Sequence, residues 1–327
     1  VMANEGLFWL QDAYTVTDKY PYSTPYQSPE LGNDNFNYMR NSVKTVVDAY
    51  EGTIEYYITD PTDPIINTYA RIFPNLFKPV SQMDPDIHTH IRYPRDFFSV
   101  QTQMMLQYHM QDPVVFYNKE DQWSLPLQSS FGKTQVVLEP YYIVARLPDT
   151  EHEEFLLIQP FTPADRENLI GWVAARNDSP NYGELVLFQF PAGRQVFGPN
   201  QVEANINKHG VISEHFTYWG REGSEVSKGV LLVIPVGDAI LYAEPVFLEP
   251  ETLEFPDLRR IILADSETIV MQPTLDRAIR ALEGELLPIA PTSGEEVFAV
   301  VQPTASVSES DEEDGLSLDE SLASSLE

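Results

Sequence analysis

VLLVIPVGDAILYAEPVFL, Val230–Leu248, sets two apolar runs on either side of Gly237-Asp238, a dipeptide suited to a tight turn. It reads as a β-hairpin. Arg259–Gln272 (RRIILADSETIVMQ) reads as a second, turning at Asp265-Ser266, and three more strands are expected in Val136–Leu147 (VVLEPYYIVARL), Glu154–Phe161 (EFLLIQPF) and Glu184–Phe190 (ELVLFQF). Strands that follow one another in runs, instead of alternating with long helices, imply antiparallel pairing. The expected fold class is therefore α+β: mainly antiparallel β-sheet, with several short to medium helices, in one large globular domain.

Moving toward the N-terminus, Asn41–Thr59 alternates around Tyr50-Glu51-Gly52 and predicts another hairpin, and Asp60–Pro64 (DPTDP) is turn chemistry. Ile65, Ile66, Tyr69 and Ile72 recur at helical spacing after Pro64, and a closing helix is expected in Pro273–Glu285, capped by Thr274 and ended by Gly284. Asp84–Phe98 (DPDIHTHIRYPRDFF) concentrates histidine, arginine and carboxylate. Asp84 is a good N-cap and Pro85 a good first helical residue, so a short helix is predicted over Asp84–Arg92. Pro94 keeps Tyr93 out of the helical region and starts a longer helix, with Phe97, Gln101, Met104 or Met105 and Tyr108 on one stripe. Arg92 and Tyr93 are expected to brace the bend.

Composition narrows the function classes. The 327 residues carry a net charge of -30 and a pI near 4.3, which repels nucleic acid and anionic membrane surfaces and leaves cations or basic proteins as partners. Absence of cysteine removes disulfides, thiolate nucleophiles and cysteine-ligated metal centres. No window reaches the ~20 apolar residues of a membrane helix, and the first residues lack a signal-peptide pattern. Gly6–Pro25 (GLFWLQDAYTVTDKYPYSTP) is dense in aromatics and reads as the interior of a folded region, which suggests a fragment. Residues 1–302 are read as the folded part and 303–327 as a serine-rich acidic tail, too polar to offset its ordering entropy.

Catalytic motifs are sparse. On a helix His88 and His90 stand about 200° apart and cannot share one ion, and with His109 and Asp112 they match no metal-site spacing, so neither metal nor cofactor is expected. Ser213 beside Glu214 and His215 is sequence proximity without a GxSxG elbow. The clearest polar cluster is basic: Arg40, Asn41 and Lys44 in MRNSVK, with Arg92, Tyr93 and Arg95. Together with His109 and Asp112 these form the candidate ligand-binding set, suited to an anion, a sugar phosphate or a headgroup. Tyr141, Tyr142, Trp172 and Trp219 are candidates for a carbohydrate-stacking platform.

Asn37–Pro64, Arg71–Pro79, His90–Gln101 (HIRYPRDFFSVQ), Tyr108–Asn118 (YHMQDPVVFYN), Pro160–Trp172 (PFTPADRENLIGW), Gly198–Asn207 (GPNQVEANIN) and Leu231–Leu248 resemble, in that order, uncharacterised protein family 0182. The resemblance extends to about Leu282. It implies a bacterial integral membrane protein with N-terminal transmembrane helices and a large extracytoplasmic domain, of which this chain is the C-terminal portion. His90, Arg92, Tyr93 and Pro94 fall on family motif positions, whereas the slot of His88 is not usually histidine. The function implied is an extracytoplasmic binding or interaction module serving the membrane-embedded part of the same polypeptide, with cations or envelope components as further partners. The alternative is a cell-envelope hydrolase acting on glycans or lipids through dispersed residues.

Overall fold

The computed structural model describes residues 1–285, apart from 29–30, 33–34, 131–133, 149, 192, 221–223, 238 and 251–255. The acidic tail expected over 303–327 lies outside the described residues. Strands β1 (Met2–Ala3) and β2 (Gly6–Thr17) meet at a two-residue turn in which Asn4 and Glu5 both have positive φ. After the short β3 (Tyr26–Gln27) and β4 (Asn35–Phe36) pair come β5 (Tyr38–Asp48) and β6 (Ile54–Ile58), joined as the predicted hairpin. Helix α1 (Pro64–Ile72) then leads to β7 (Phe77–Pro79), which lies parallel to β6 and completes a sheet of order β1-β2-β5-β6-β7.

Asp63 organises this sheet as well as capping α1. Its carboxylate accepts the amides of Ile65 (3.0 Å) and Ile66 (3.3 Å) and the hydroxyls of Thr15 (2.6 Å), Ser42 (2.6 Å) and Tyr38 (2.7 Å). The residue is fully buried. Burial alone would raise its pKa, but the donated hydrogen bonds outweigh it and hold the carboxyl at about 2. Asp63→Ala is expected to cost about 2 kcal/mol in urea unfolding at neutral pH, through the lost cap and the stranded hydroxyls. Because the folded value lies below the usual 3.8, the carboxylate's stabilisation is complete above pH 4 and is lost as pH falls toward 2. A parent and variant that lose stability in parallel over that window would disprove the assignment.

Helix α2 (Pro85–His88) is shorter than predicted. Asp84 does cap it, accepting from Asp86 N, but the chain leaves the helix at Thr89, and His90 and Ile91 make only the tighter bonds to Ile87 and His88. Helix α3 (Arg95–Tyr108) begins after Pro94 as expected. Its most buried residues are Phe98, Val100 and Thr102; of the predicted stripe Phe97 and Met105 pack partly buried against the same core, whereas Tyr108 is exposed. The short α4 (Pro113–Asn118) follows.

Strands β8 (Trp123–Ser124), β9 (Leu127–Ser130) and β10 (Thr134–Val137) lead into the central antiparallel sheet of β11 (Tyr141–Arg146), β12 (Glu153–Pro163), β13 (Gly171–Arg176) and β14 (Leu185–Gln189). One face packs Tyr93, Phe98 and Trp123 on Leu157, Phe161 and Val173; the other packs Leu156, Ile158 and Trp172. Helices α5 (Pro199–Lys208) and α6 (Gly210–Trp219) cover the third sheet, in which β17 (Ala239–Pro250) pairs with β15 (Ser224–Lys228), β16 (Leu232–Val236) and β18 (Asp257–Ala264), and β18 with β19 (Ile269–Gln272). The Val230–Leu248 hairpin forms as read, Val236 facing Ala239 beside Gly237 at φ 57°. Helix α7 (Leu275–Leu282) closes the described chain, capped by Thr274. No helix among the described residues is long and apolar enough to cross a membrane.

Candidate functional site

Five of the eight predicted residues meet where the first sheet, the segment Thr89–Pro94 and the central sheet come together. Lys44 on β5 stands opposite Asp12 on β2, and its side chain is only 5% exposed. Burial pulls the Lys44 ammonium down from the ordinary lysine range, and Asp12, ion-paired to it, pulls it back. Asn41 Nδ2 also donates to Asp12 (3.1 Å), while Lys44 Nζ donates to the Arg92 carbonyl (3.0 Å).

The carbonyls and amide of the bend are then taken by β11 and by the loop between β13 and β14. Tyr182 OH donates to Arg92 O (3.2 Å), Tyr142 OH to Tyr93 O (2.6 Å), and Tyr93 N to Asn177 Oδ1 (2.7 Å). Tyr93 turns its own hydroxyl to Gln101 on α3 (2.7 Å). The expected brace therefore exists, with its roles redistributed. The Arg92 guanidinium bonds the local carbonyls of Thr89 and Ile91 (both 2.9 Å), but the side chain is exposed and lies 4.8 Å over the Phe155 ring. Lys44, Tyr142 and Tyr182 hold the bend.

Burial raises the phenols of Tyr14, Tyr142 and Tyr182, and the Asp12 carboxylate pushes each further; burial also lifts Tyr93 to about 12. At neutral pH all four remain O–H donors. The mouth of the corner thus presents the partly exposed rings of Tyr142 and Tyr182 beside Arg92 and the exposed Arg95, whose guanidinium lies 3.8 Å from Glu139. It offers hydrogen-bond donors, aromatic faces and positive charge.

The other predicted residues sit elsewhere. Arg40, on the same strand as Lys44 but of opposite use, pairs with Asp60 (3.1 Å) and lies 5.9 Å over Tyr38. His109 stacks on Trp123 at 3.7 Å, with its ring nitrogens on the carbonyls of Met105 and Asp121, and Asp112 caps α4. Among the described residues no group of histidines and carboxylates is placed to hold a metal. Ser213 and His215 both lie on α6, two positions apart, which points them to different sides. Of the four proposed stacking aromatics Tyr142 is the most exposed, Tyr141 is partly buried against the core, and Trp172 and Trp219 are buried. Asp12, Tyr14, Phe155, Asn177 and Tyr182 join the corner without any signal in the sequence that marks them for it.

The family model described as Uncharacterised protein family (UPF0182) matches residues 1–219. The chain belongs to this family. Members from Pelotomaculum thermopropionicum and Microcystis aeruginosa are each 49% identical to it, over 87% and 86% of the chain, and one from Synechococcus elongatus is 47% identical over 86%. The matched stretch makes up 30%, 28% and 29% of those proteins, so the chain spans less than a third of its curated relatives' length. None of these relatives is named for an activity. No solved structure matches the chain.

Proposed function

We propose that this chain is an extracytoplasmic binding module of an integral membrane protein, serving the membrane-embedded part of the same polypeptide, and that its ligand is an acidic saccharide of the cell envelope. The observation that carries the ligand class is the corner's mouth: two exposed guanidiniums beside the partly exposed rings of Tyr142 and Tyr182, on a chain of net charge -30. Guanidinium forks match carboxylate or phosphate, and tyrosine rings stack on sugar. The relatives' greater length supports the module reading, since about 70% of each lies outside the matched stretch.

Titration calorimetry with glucuronate and with glucose tests the ligand. Glucuronate should bind more tightly than glucose, and Arg92→Ala should weaken it at least about tenfold, or 1.4 kcal/mol. The same substitution should change unfolding free energy by less than about 1 kcal/mol, because the Arg92 side chain is exposed and its partners are carbonyls of the adjoining turn, at Thr89 and Ile91. Equal binding of the two sugars, or an Arg92→Ala variant that binds glucuronate like the parent, overturns the ligand assignment. Protease added outside intact cells should cleave this region of the full-length protein; complete protection there, with cleavage after lysis, overturns the placement.

A further inference from the structure

β2 opens Leu7-Phe8-Trp9-Leu10, apolar at every position, whereas an antiparallel strand with one face in water alternates. Such a run is written for cover on both faces. One face has it: Phe8 and Leu10 pack with Val46, Tyr57, Met83, Ile87 and Ile91. The other does not. Trp9, Val47 and Ile54 stand in one cross-strand row over β2, β5 and β6, with Trp9 67% and Ile54 52% exposed, and Met2 and Leu7 extend the row's apolar surface.

The strand's edge is open at the same place. β1 pairs with β2 only at Gly6 and Leu7, with Val1 bonding Phe8, and from Trp9 onward no strand joins that edge among the described residues. An unpaired edge next to a bare apolar face is a template for strand addition, and folded proteins seldom leave one uncovered. Relatives that extend to about three times the matched length supply the chain to cover it.

We infer that the face of Trp9, Val47 and Ile54, with the adjoining edge of β2, is the docking surface for a strand from the part of the same polypeptide outside these 327 residues. Main-chain bonds along Trp9–Ala13 would hold that strand, and its apolar side chains would close over Trp9. The inference rests on the proposed reading only in taking the chain as a module of a longer protein; it does not depend on the ligand at the Arg92 corner.

Trp9 makes the surface readable, because Trp123, Trp172 and Trp219 are 1%, 1% and 6% exposed. Acrylamide quenching of the 327-residue chain should come almost wholly from Trp9, with Trp9→Phe as the reference. In the full-length protein the Trp9 contribution, again taken as the difference from Trp9→Phe, should fall at least about fivefold, and alternate amides between Trp9 and Ala13 should exchange at least about tenfold more slowly than in the shorter chain. Unchanged quenching and exchange in the full-length protein overturn the inference. So does protection that appears in the 327-residue chain alone and grows with its concentration, which would make a second copy the occupant. Glucuronate binding is measured on the shorter chain and strand docking on the full-length protein, so a failure at one surface does not bear on the other.

Discussion

Lys44→Met is expected to lower the unfolding free energy by about 3 kcal/mol at neutral pH, measured by urea denaturation. The substitution keeps much of the side-chain volume, so the loss comes from electrostatics. Asp12 is left with Asn41 as its remaining donor, and the Arg92 carbonyl with Tyr182. Removing one partner of a buried pair costs about 3–5 kcal/mol, and the lower end applies because the Asp12 side chain is 29% exposed and water can solvate it. Asp12→Asn added to Lys44→Met should restore about 1 kcal/mol or more, since the orphaned charge is then gone. A double variant no more stable than Lys44→Met would show that packing, not the stranded carboxylate, carries the cost.

This prediction replaces one that the sequence alone supports, in which Arg92 stabilises the bend. Pro94 does mark the corner, because its effect on Tyr93 is local and legible. What supports the corner is not local. The donors to Arg92 O come from 48 and 90 residues away, and the acceptor of Tyr93 N from 84. Those bonds also account for the short α2: once Lys44, Tyr182 and Asn177 hold Arg92 and Tyr93, the polar groups there serve tertiary contacts instead of a helical ladder, and propensity yields to packing.

The hairpins were legible for the opposite reason, since the turns at Gly52, Gly237 and Asp265 join strands adjacent in sequence. Asp265 Oδ1 even accepts the amides of Glu267 and Thr268 within its own loop. Lys44, Arg92 and Arg95 stood out because positive charge is rare in this chain, and Asn41 came with them as a neighbour in MRNSVK. Asp12 and Asn177 carried no such signal: one carboxylate among fifty acidic residues says nothing until its lysine is in place. Tyr182, one of seventeen tyrosines, became visible only when the loop between β13 and β14 brought it to the Arg92 carbonyl.

Lys228→Met should produce the largest loss, about 4 kcal/mol at pH 8 and about 2 kcal/mol or less at pH 5. Lys228 on β15 faces Val246, which in turn faces Arg260 on β18, and Glu244 lies two positions from Val246 on the same side of β17. Helices α5 and α6 close over this face with Glu203, His215 and Trp219, and the Arg260 guanidinium lies 5.5 Å over the Trp219 ring. Glu244 is fully buried, its carboxylate 3.1 Å from the Lys228 ammonium. Burial pushes Glu244 up to about 7; Lys228 pulls it down and Glu203 pushes it up. A folded value above the usual 4.5 means that Glu244's contribution is most favourable below pH 4.5 and is lost as pH rises to 7, where the buried group must ionise. Without Lys228 that ionised state has lost its nearest counter-charge, whereas at pH 5 Glu244 escapes by holding a proton. Urea unfolding of parent and variant at the two pH values measures the difference. Glu244→Gln placed on Lys228→Met should recover about 1–2 kcal/mol at pH 8 and little at pH 5. A loss equal at both pH values would mean that Lys228 acts through its packing against β17, and that the charge of Glu244 is balanced by Arg260 instead.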